Sequence, residues 1–352
     1  MASVEERLRD RLASGPLTFH DFMEEALYGE GGYYAGSRAP VGEEGDFVTG
    51  SSVSPLFGAA TARLLGRLDA ALGTPADYLE AGYGNGEHAA AVAAARGRGD
   101  GLLLAWDRVA RPLPPDTAGV ECLGKLPERP LCGLVFSYEL FDALPVHRLV
   151  GREGGGLGEL WVTLDARGSF AWREGELSEE DLPERCGLEA SDLDPGQIAD
   201  LAPGWGPLLA DLAARLERGL LVTCDYGYER PRLLDPRVRR TGTLACYRGH
   251  TVHRDPFREI GRQDLTAHVD WTTLIDAGEA AGLATVALAP QALWLTELGI
   301  FDELGEADLP TRLAAARLLD PQGMGSDLQV LVQARDVEAA DLFALDRLAR
   351  RR

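Results

Sequence analysis

The stretch DYLEAGYGNGEH at residues 77–88 places three glycines, Gly82, Gly84 and Gly86, at alternate positions after a short apolar run that contains Glu80. Glycine costs backbone entropy on folding, so this density of glycines indicates a turn that larger side chains would obstruct. The pattern predicts a strand, a tight turn and a helix, with a ligand that passes close to the bare main chain.

Strand patterns alternate with helix patterns from residue 77 onward. The predicted strands are YLEAG, LLLAWD (102–107), VECLG (120–124), LCGLVFS (131–137), GLLVTCDYG (219–227), ATVALA and LQVLVQA (328–334). Continuous apolar runs such as LCGLVFS are typical of buried parallel strands. EHAAAVAAARG, GPLLADLAARLERG and DWTTLIDAGEAAGL read as helices. The alternation predicts an α/β fold with a doubly wound parallel sheet.

Four regions are predicted along the chain. Residues 1–75 form an N-terminal helical and lid region, with a capped helix at TFHDFMEEALYG and another from Pro55 to Leu72. Residues 76–147 and 206–289 form the core. Residues 148–205 form an inserted region with antiparallel hairpin strands, expected to bind the substrate or a partner. Residues 290–352 form a helical part that includes the last core strand.

The charge of the chain disfavours two classes of partner. Its formal net charge is −21 and its pI is about 4.7. Such a surface repels phosphate groups, so we predict no nucleic-acid binding and no binding to anionic membranes. A cationic substrate is electrostatically favoured. No apolar run approaches the roughly 20 residues that a membrane span needs.

The cysteines and the N-terminus predict a cytoplasmic protein. Five cysteines are scattered without a C-x-x-C pair, which indicates reduced, buried thiols. MASVEERLRDRLAS lacks the apolar centre of a signal peptide. Cys246, His250 and His253 fit no common zinc spacing, so we predict no metal site and interpret TLACYRGHTVH as a strand.

Two ligand classes compete for the glycine turn. Dinucleotide sites prefer G-x-G-x-x-G, but Glu87 stands where the third glycine belongs and would face a pyrophosphate. The motif from Glu80 to Gly86 is acid-x-G-x-G-x-G, which resembles the first motif of S-adenosylmethionine-dependent methyltransferases. In that interpretation Glu80 holds the methionyl amine. Asp107 ends the second strand and either binds the ribose hydroxyls or caps the following turn, with Trp106 as the alternative residue in that position.

The whole chain resembles the MidA family, which includes protein arginine methyltransferases that act in complex I assembly. The segments that carry the resemblance, in chain order, are GEGGYY, GDFVTGSSVSPLFG, LEAGYGNG, ELFDALPVHRLV, CDYG, TLACYRGHTVHRDP and QDLTAHVDWTTL. The resemblance covers about residues 16 to 335. It implies a seven-stranded class I methyltransferase sheet with LQVLVQA antiparallel, an added helical part and S-adenosylmethionine as cofactor.

The resemblance also implies cofactor roles for single residues. Asp46 and Thr49, in GDFVTGSS, join Glu80, the three glycines and Asp107 at the cofactor. This sequence departs from the family pattern at five positions: Ser52, Tyr83, Asn85, Trp106 and Tyr138.

Three side chains are candidates for catalysis. A guanidinium is a poor nucleophile, and a pair of carboxylates can hold it bidentately and localise its charge away from the attacking nitrogen. We expect Glu139 and Asp142, in ELFDALP, to do this, with local capping as the alternative for each. His268 is expected to accept a proton or orient a carboxylate, or else to bond Asp270. Asp225 and Tyr226 are expected to line the substrate mouth.

The sequence is consistent with three interpretations of the methyl acceptor and the activity. The first is a protein arginine or a related nitrogen, with a basic protein or peptide as partner. The second is a small molecule or peptide, and the third is an assembly protein that keeps the fold without turnover. The Tyr33-Tyr34 pair and Phe47 are expected to pack the N-terminal helices, or to cover the adenine. The sequence does not determine the oligomeric state.

Overall fold

The computed structural model describes residues 2–36, 54–97, 101–115, 117–304 and 307–344. The strands in these residues are β1 (Leu17–Thr18), β2 (Asp77–Ala81), β3 (Leu103–Trp106), β4 (Val120–Leu123), β5 (Leu131–Tyr138), β6 (His147–Gly151), β7 (Leu157–Leu164), β8 (Phe170–Gly175), β9 (Ile198–Leu201), β10 (Leu216–Tyr228), β11 (Ala245–Arg248), β12 (Thr251–His253), β13 (Asp264–Thr266), β14 (Val269–Asp270), β15 (Ala284–Pro290) and β16 (Leu328–Arg335).

The helices account for most of the remaining regular structure. They are α1 (Val4–Leu12), α2 (Phe19–Tyr28), α3 (Pro55–Leu72), α4 (Glu87–Arg96), α5 (Leu182–Arg185), α6 (Trp205–Ala213), α7 (Arg230–Leu233), α8 (Pro236–Arg239), α9 (Trp271–Ala280), α10 (Gln291–Glu297), α11 (Ile300–Leu304), α12 (Leu309–Leu318) and α13 (Met324–Asp327). No helix in the described ranges is long and apolar enough to cross a bilayer.

The chain forms two compact units. Unit 1 contains the described residues within 1–47, 141–207 and 227–274, and unit 2 those within 48–140, 208–226 and 275–352. Residues 227–274 therefore group with the N-terminal helices and the inserted region, although we predicted them as part of the core. They form short strands and helices of their own, which pair mainly with each other.

Unit 2 is built on a mixed sheet with the main strand order β15-β16-β10-β5-β2-β3-β4; β14 pairs with the end of β10 off this path, so the sheet has eight strands. The five strands from β10 to β4 are parallel, and β16 is antiparallel to both of its neighbours. LQVLVQA is thus the antiparallel strand that the family resemblance implied. The strand order reverses between β2 and β5, because β3 and β4 follow on one side and β5 and β10 on the other. Open α/β sheets bind ligands at such a reversal.

Helix α3 packs its apolar face onto this sheet. Ser54 accepts a hydrogen bond from the Leu56 amide, Pro55 occupies the first turn, and Gly73 ends the helix in a left-handed conformation. The predicted bounds of this helix are confirmed. Phe57, Leu64 and Leu68 are fully buried in the core of unit 2.

Unit 1 contains two antiparallel sheets. The first has the order β1-β7-β6-β9 with β8 beside β7, and the second the order β12-β11-β13. The hairpin strands predicted within 148–205 are confirmed. The single strand predicted at TLACYRGHTVH is instead two antiparallel strands, β11 and β12, joined by a turn at Gly249 and His250. The capped helix near Thr18 is confirmed too, since Thr18 Oγ1 accepts from the Asp21 amide.

Three local predictions need correction. The helix over GPLLADLAARLERG ends at Ala213, because the buried Leu216 begins β10 and pairs with Leu131 of β5. The strand predicted at 219–227 is longer, from Leu216 to Tyr228, and Asp225 and Tyr226 lie within it. Cys122 is exposed and Cys132 is partly exposed, whereas the remaining cysteines are buried.

Candidate functional site

The backbone conformation of the turn after β2 explains why the turn contains three glycines. Gly82, Gly84 and Gly86 have φ angles of 76°, 56° and 76°, which is the left-handed region that residues with a Cβ avoid. A Cβ on Gly82 would lie 2.8 Å from Leu140 Cδ1, and one on Gly86 would lie 2.5 Å from Leu113 Cδ2. A Cβ on Gly84 would meet nothing within 4 Å in the described chain. The turn therefore offers open space above one bare residue, Gly84.

The sheet register brings three strand ends to the same level. Ala81 of β2 is aligned with Trp106 of β3 and with Ser137 of β5. The Gly82 amide then donates to the Trp106 carbonyl at 2.7 Å. The residues that follow these strands, Asp107 and Glu139, consequently lie at the carboxyl edge of the sheet beside the glycine turn.

Asp107 ties the end of β3 to this turn. One carboxylate oxygen accepts from the Gly84 amide and the other from the Val109 amide, both at 2.9 Å. Burial raises the pKa of Asp107, and these two hydrogen bonds oppose that rise. Asp107 thus acts as a local cap, and it contacts the glycine that borders the open space.

Glu80 is held in a buried polar cluster. Its Oε2 accepts from the Tyr78 hydroxyl at 2.9 Å and lies 3.1 Å from His88 Nδ1, while His88 Nε2 lies 3.2 Å from Thr61 Oγ1. Burial and the charge of Glu80 raise the pKa of Tyr78 well above its usual value. Glu80 Oε1 has no hydrogen-bond partner in the ranges that the structure describes. The cluster therefore fixes the carboxylate and leaves one oxygen for another donor.

Sequence reasoning missed Tyr78 and His88. Tyr78 precedes Glu80 by two residues on the same strand, so the two side chains share a face of the sheet. That period-two spacing was the available signal for Tyr78. His88 lies in the first turn of α4 and carried no comparable signal.

Glu139 has a backbone conformation that non-glycine residues rarely adopt. Its φ is 48°, and its amide donates to the Cys224 carbonyl at 2.9 Å, which ties it to β10. A residue with a Cβ in this region costs about 1–2 kcal/mol, and such strained residues cluster at functional sites. The side chain is partly exposed. The predicted carboxylate therefore follows β5 directly, in a geometry that the surrounding sheet enforces.

Asp142 and His268 belong to unit 1. Asp142 is 6% exposed, and its carbonyl accepts from the Ala267 amide at 3.0 Å. His268 follows β13, and its amide donates to Thr243 Oγ1 at 3.1 Å. Burial and the nearby Arg239 lower the pKa of His268 to about 4. The contact predicted between His268 and Asp270 is not formed.

The two predicted substrate-mouth residues face opposite sides of the sheet. Adjacent residues of a strand alternate in direction, and Tyr226 packs against the hydrophobic core of unit 2. Asp225 is fully buried, with its carboxylate accepting from the Tyr226 amide at 2.8 Å. The two side chains therefore do not share one lining.

Four predicted or noted positions lie outside the described residues: Asp46, Phe47, Thr49 and Ser52. Tyr33 and Tyr34 pack against each other with ring centroids 5.1 Å apart, and Tyr34 also stacks on Tyr28 of α2. Their predicted packing on the N-terminal helices is confirmed.

The described departures from the family pattern make structural contacts. The Tyr83 hydroxyl bonds the carbonyl and the amide of Arg111. Asn85 Oδ1 accepts from the Glu87 amide. Tyr138 is buried, and its hydroxyl donates to Gln291 Oε1 at 2.7 Å. The changes at Tyr83 and Tyr138 are thus accommodated by hydrogen bonds within unit 2.

Comparisons with known proteins agree with this geometry. Residues 104–289, more than half of the chain, match the family model described as "Putative S-adenosyl-L-methionine-dependent methyltransferase". A crystal structure from Burkholderia thailandensis, of a "likely methyl transferase" bound to S-adenosyl-homocysteine, is 30% identical. It superposes with a TM-score of 0.86 over 99% of this chain and 94% of its own. The expected α/β methyltransferase fold is therefore confirmed.

Two curated relatives carry a more specific name. The Drosophila melanogaster "Protein arginine methyltransferase NDUFAF7 homolog, mitochondrial" is 26% identical over 97% of this chain and 86% of its own length. The human "Protein arginine methyltransferase NDUFAF7, mitochondrial" is 25% identical over 89% and 79%. The cytoplasmic location predicted above is wrong, because these relatives are mitochondrial proteins. Scattered, unpaired cysteines indicate a lack of disulfides and do not identify one compartment.

The resemblance to MidA proteins is confirmed by these matches. S-adenosylmethionine, inferred from the acid and glycines of the turn, is the cofactor of the matching family. The chain belongs to this family and is an S-adenosylmethionine-dependent methyltransferase.

Proposed function

We propose that this enzyme transfers the methyl group to a nitrogen of arginine in a basic protein or peptide. The observation that carries the proposal is Glu139, a carboxylate held in a left-handed conformation at the end of β5. The names of the fly and human relatives support arginine as the acceptor. The net charge of −21 favours the approach of a cationic partner.

The glycine turn fits the cofactor. A Cβ on Gly84 would point into open space, so the bare main chain there can approach a ligand closely. We assign Gly82, Gly84 and Gly86 to backbone contacts. When bound, S-adenosylmethionine supplies a methyl group that the sulfonium already activates. The topological reversal between β2 and β5 supports a class I methyltransferase sheet, which we infer here.

Two neighbouring carboxylates are assigned to different parts of the cofactor, the methionyl amine and the ribose. Glu80 Oε1 is assigned to the methionyl amine, since Tyr78 and His88 occupy only Oε2. Asp107 is assigned to the ribose hydroxyls, because a carboxylate that accepts two amides retains further lone pairs. Asp46 and Thr49 stay assigned to the cofactor from the family resemblance.

Glu139 is assigned to the acceptor from its position after β5, and Asp142 keeps the same assignment from the sequence alone. Two carboxylates can bind a guanidinium through paired N–H donors and draw its positive charge away from the third nitrogen. The third nitrogen then keeps electron density for attack on the methyl group, provided that it would lie in line with the methyl–sulfur bond that breaks. Asp225 is assigned to the acceptor side, and Tyr226 to packing. His268 is left out of the catalytic set, because Arg239 and Arg254 line the same cavity and repel a cationic acceptor.

The test is transfer of labelled methyl from S-adenosylmethionine to lysate proteins, followed by mass spectrometry of the modified residue. Glu139→Gln should reduce transfer at least about a hundredfold, since it removes a charged contact to the reacting group. Its affinity for S-adenosyl-homocysteine should stay unchanged. Glu121→Gln, at an exposed position on β4, is the matched control and should retain transfer.

Two outcomes would contradict the proposal. Wild-type turnover in Glu139→Gln would remove Glu139 from the mechanism. Methylated products that contain no modified arginine would exclude arginine as the acceptor.

A further inference from the structure

Unit 1 carries a basic segment in an otherwise acidic protein. The stretch RPRLLDPRVRR at residues 230–240 contains five arginines within a chain of net charge −21. Two of them are neutralised locally: Arg230 pairs with Asp270, and Arg237 pairs with Asp235. Arg239 has no carboxylate within 4.0 Å in the described chain.

A cavity of about 380 Å³ opens beside Arg239. All of its lining residues lie in unit 1: Val238, Arg239, Gly242, Thr243, Leu244, Ala245, Val252, His253, Arg254 and His268. Val238 and Val252 are 67% and 64% exposed, which is unusual for large aliphatic side chains. The cavity thus combines two guanidinium groups with two exposed apolar side chains.

The two guanidinium groups are held in place but keep most of their donors. Arg239 donates one N–H to the Arg232 carbonyl at 2.9 Å and lies 3.7 Å from the centroid of the Tyr228 ring. Arg254 donates one N–H to Thr241 Oγ1 at 3.0 Å. Within the described ranges, Arg254, like Arg239, has no carboxylate partner. Since each guanidinium has five N–H donors, both can bind a further acceptor.

The buried carboxylate of Asp200, next to the lining, is paired with an arginine outside the cavity. Asp200 accepts from Arg148 Nε at 2.8 Å and from the Thr243 and Leu244 amides at 2.6 and 2.9 Å. Asp200 is therefore balanced by Arg148 and not by Arg239 or Arg254.

The two histidines of the cavity complete its polar surface. His253 Nδ1 accepts from the Asp255 amide at 3.2 Å. His268 Nδ1 is buried and has no hydrogen-bond partner in the part of the chain that is described. With its pKa lowered to about 4, His268 is neutral near pH 7 and can complete a hydrogen bond to a ligand.

We propose that this cavity binds a small organic anion, a carboxylate or phosphate group carried on an apolar body. The guanidinium groups supply charge-assisted, planar donors for the oxygens. Val238 and Val252 supply contact for the apolar part, as ligand sites generally combine apolar walls with a few polar groups. This ligand has the opposite charge to an arginine acceptor and differs from the cofactor. The proposal is therefore independent of the proposed function.

The test is isothermal titration of the full chain, saturated with S-adenosyl-homocysteine, with hexanoate and with hexyl phosphate. At least one of them should bind saturably, and the stronger of the two identifies the anionic group. Hexylamine, with the same body and the opposite charge, should not bind. The double variant Arg239→Gln, Arg254→Gln should weaken binding at least about tenfold, because it removes two charge-assisted contacts.

Two control variants separate this site from general charge attraction. Arg237→Gln lies in the same helix, α8, but outside the cavity lining, and it should bind as the wild type does. Val238→Ser should weaken hexanoate and hexyl phosphate while inorganic phosphate is unaffected. A circular dichroism spectrum and a urea unfolding transition like those of the wild type show that each variant is folded.

Three results would overturn the proposal. They are no saturable binding of either anion, equal loss of binding in Arg237→Gln, and binding of inorganic phosphate as tight as that of hexyl phosphate.

Discussion

Replacing Gly84 by alanine tests whether a ligand contacts the main chain of the glycine turn. Gly73→Ala is the control, because it places alanine in the same strained backbone conformation away from the turn. Gly84 and Gly73 both have positive φ angles, 56° and 73°, and a Cβ at either position would meet nothing within 4 Å in the described chain. Alanine in this region costs about 1–2 kcal/mol of folding free energy. Gly84→Ala and Gly73→Ala should therefore lower the free energy of unfolding by similar amounts, measured by urea denaturation of the free protein.

Cofactor affinity should separate the two variants. The backbone strain is present in both the free and the bound protein, so it cancels from the dissociation constant. What remains for Gly84→Ala is the overlap of the new methyl group with the ligand. Overpacking of this kind costs about 1–3 kcal/mol, which corresponds to roughly tenfold to hundredfold weaker binding. Gly73→Ala lies at the end of α3 and should bind S-adenosyl-homocysteine as the wild type does.

Isothermal titration with S-adenosyl-homocysteine provides the readout. If Gly84→Ala binds as tightly as Gly73→Ala, no ligand approaches the main chain at Gly84, and the reasoning about the turn is refuted. If both variants bind weakly, the loss reflects general destabilisation.

Three further predictions concern buried or strained side chains. Glu139→Gly should raise the free energy of unfolding by about 0.5–1 kcal/mol, because relief of the left-handed backbone strain exceeds the entropic cost of ordering a glycine. The same variant should lose methyl transfer. A lower free energy of unfolding in urea denaturation would contradict this prediction. His88→Phe should lower the free energy of unfolding by about 1–3 kcal/mol and weaken cofactor binding, because Glu80 and Thr61 lose a buried polar partner. An unchanged affinity for S-adenosyl-homocysteine in isothermal titration would show that His88 does not support Glu80. Because of His268, the free energy of unfolding should fall as the pH drops from 6.5 to 4, by at most about 3 kcal/mol. The reason is that the unfolded chain binds a proton at this histidine in that pH range and the folded chain does not. His268→Gln should flatten this dependence in denaturation curves collected across the same pH range.

The sequence predicted the parts of the site that depend on local spacing. Alternate glycines after an apolar run located the turn, and the continuous run LCGLVFS located β5 and hence Glu139. Both signals are contained within one strand and the residues that follow it, where periodicity and turn chemistry are reliable.

Other features depend on residues that are far apart in the chain. The Glu80–His88–Thr61 cluster joins a strand with two helices, and its members carry no shared spacing. The strand predicted at 219–227 extends over 216–228, because β5 pairs with its start and β14 with its end, and both partners are distant in the sequence. The cavity at Arg239 unites α8, β12 and the turn at His268, so its charge was visible in the sequence but its shape was not.

The position of β16 has a consequence for biosynthesis. This strand, whose last residue is Arg335, hydrogen-bonds to β10 on one side and to β15 on the other. Until the ribosome has delivered it, β10 presents an open edge and β15 has no neighbour in the sheet. Exposed edges of this kind recruit other chains, and contacts between distant segments form slowly. A nascent chain of this protein therefore passes through a stage in which the edge of β10 is open to pairing with other chains, and that stage ends when β16 docks.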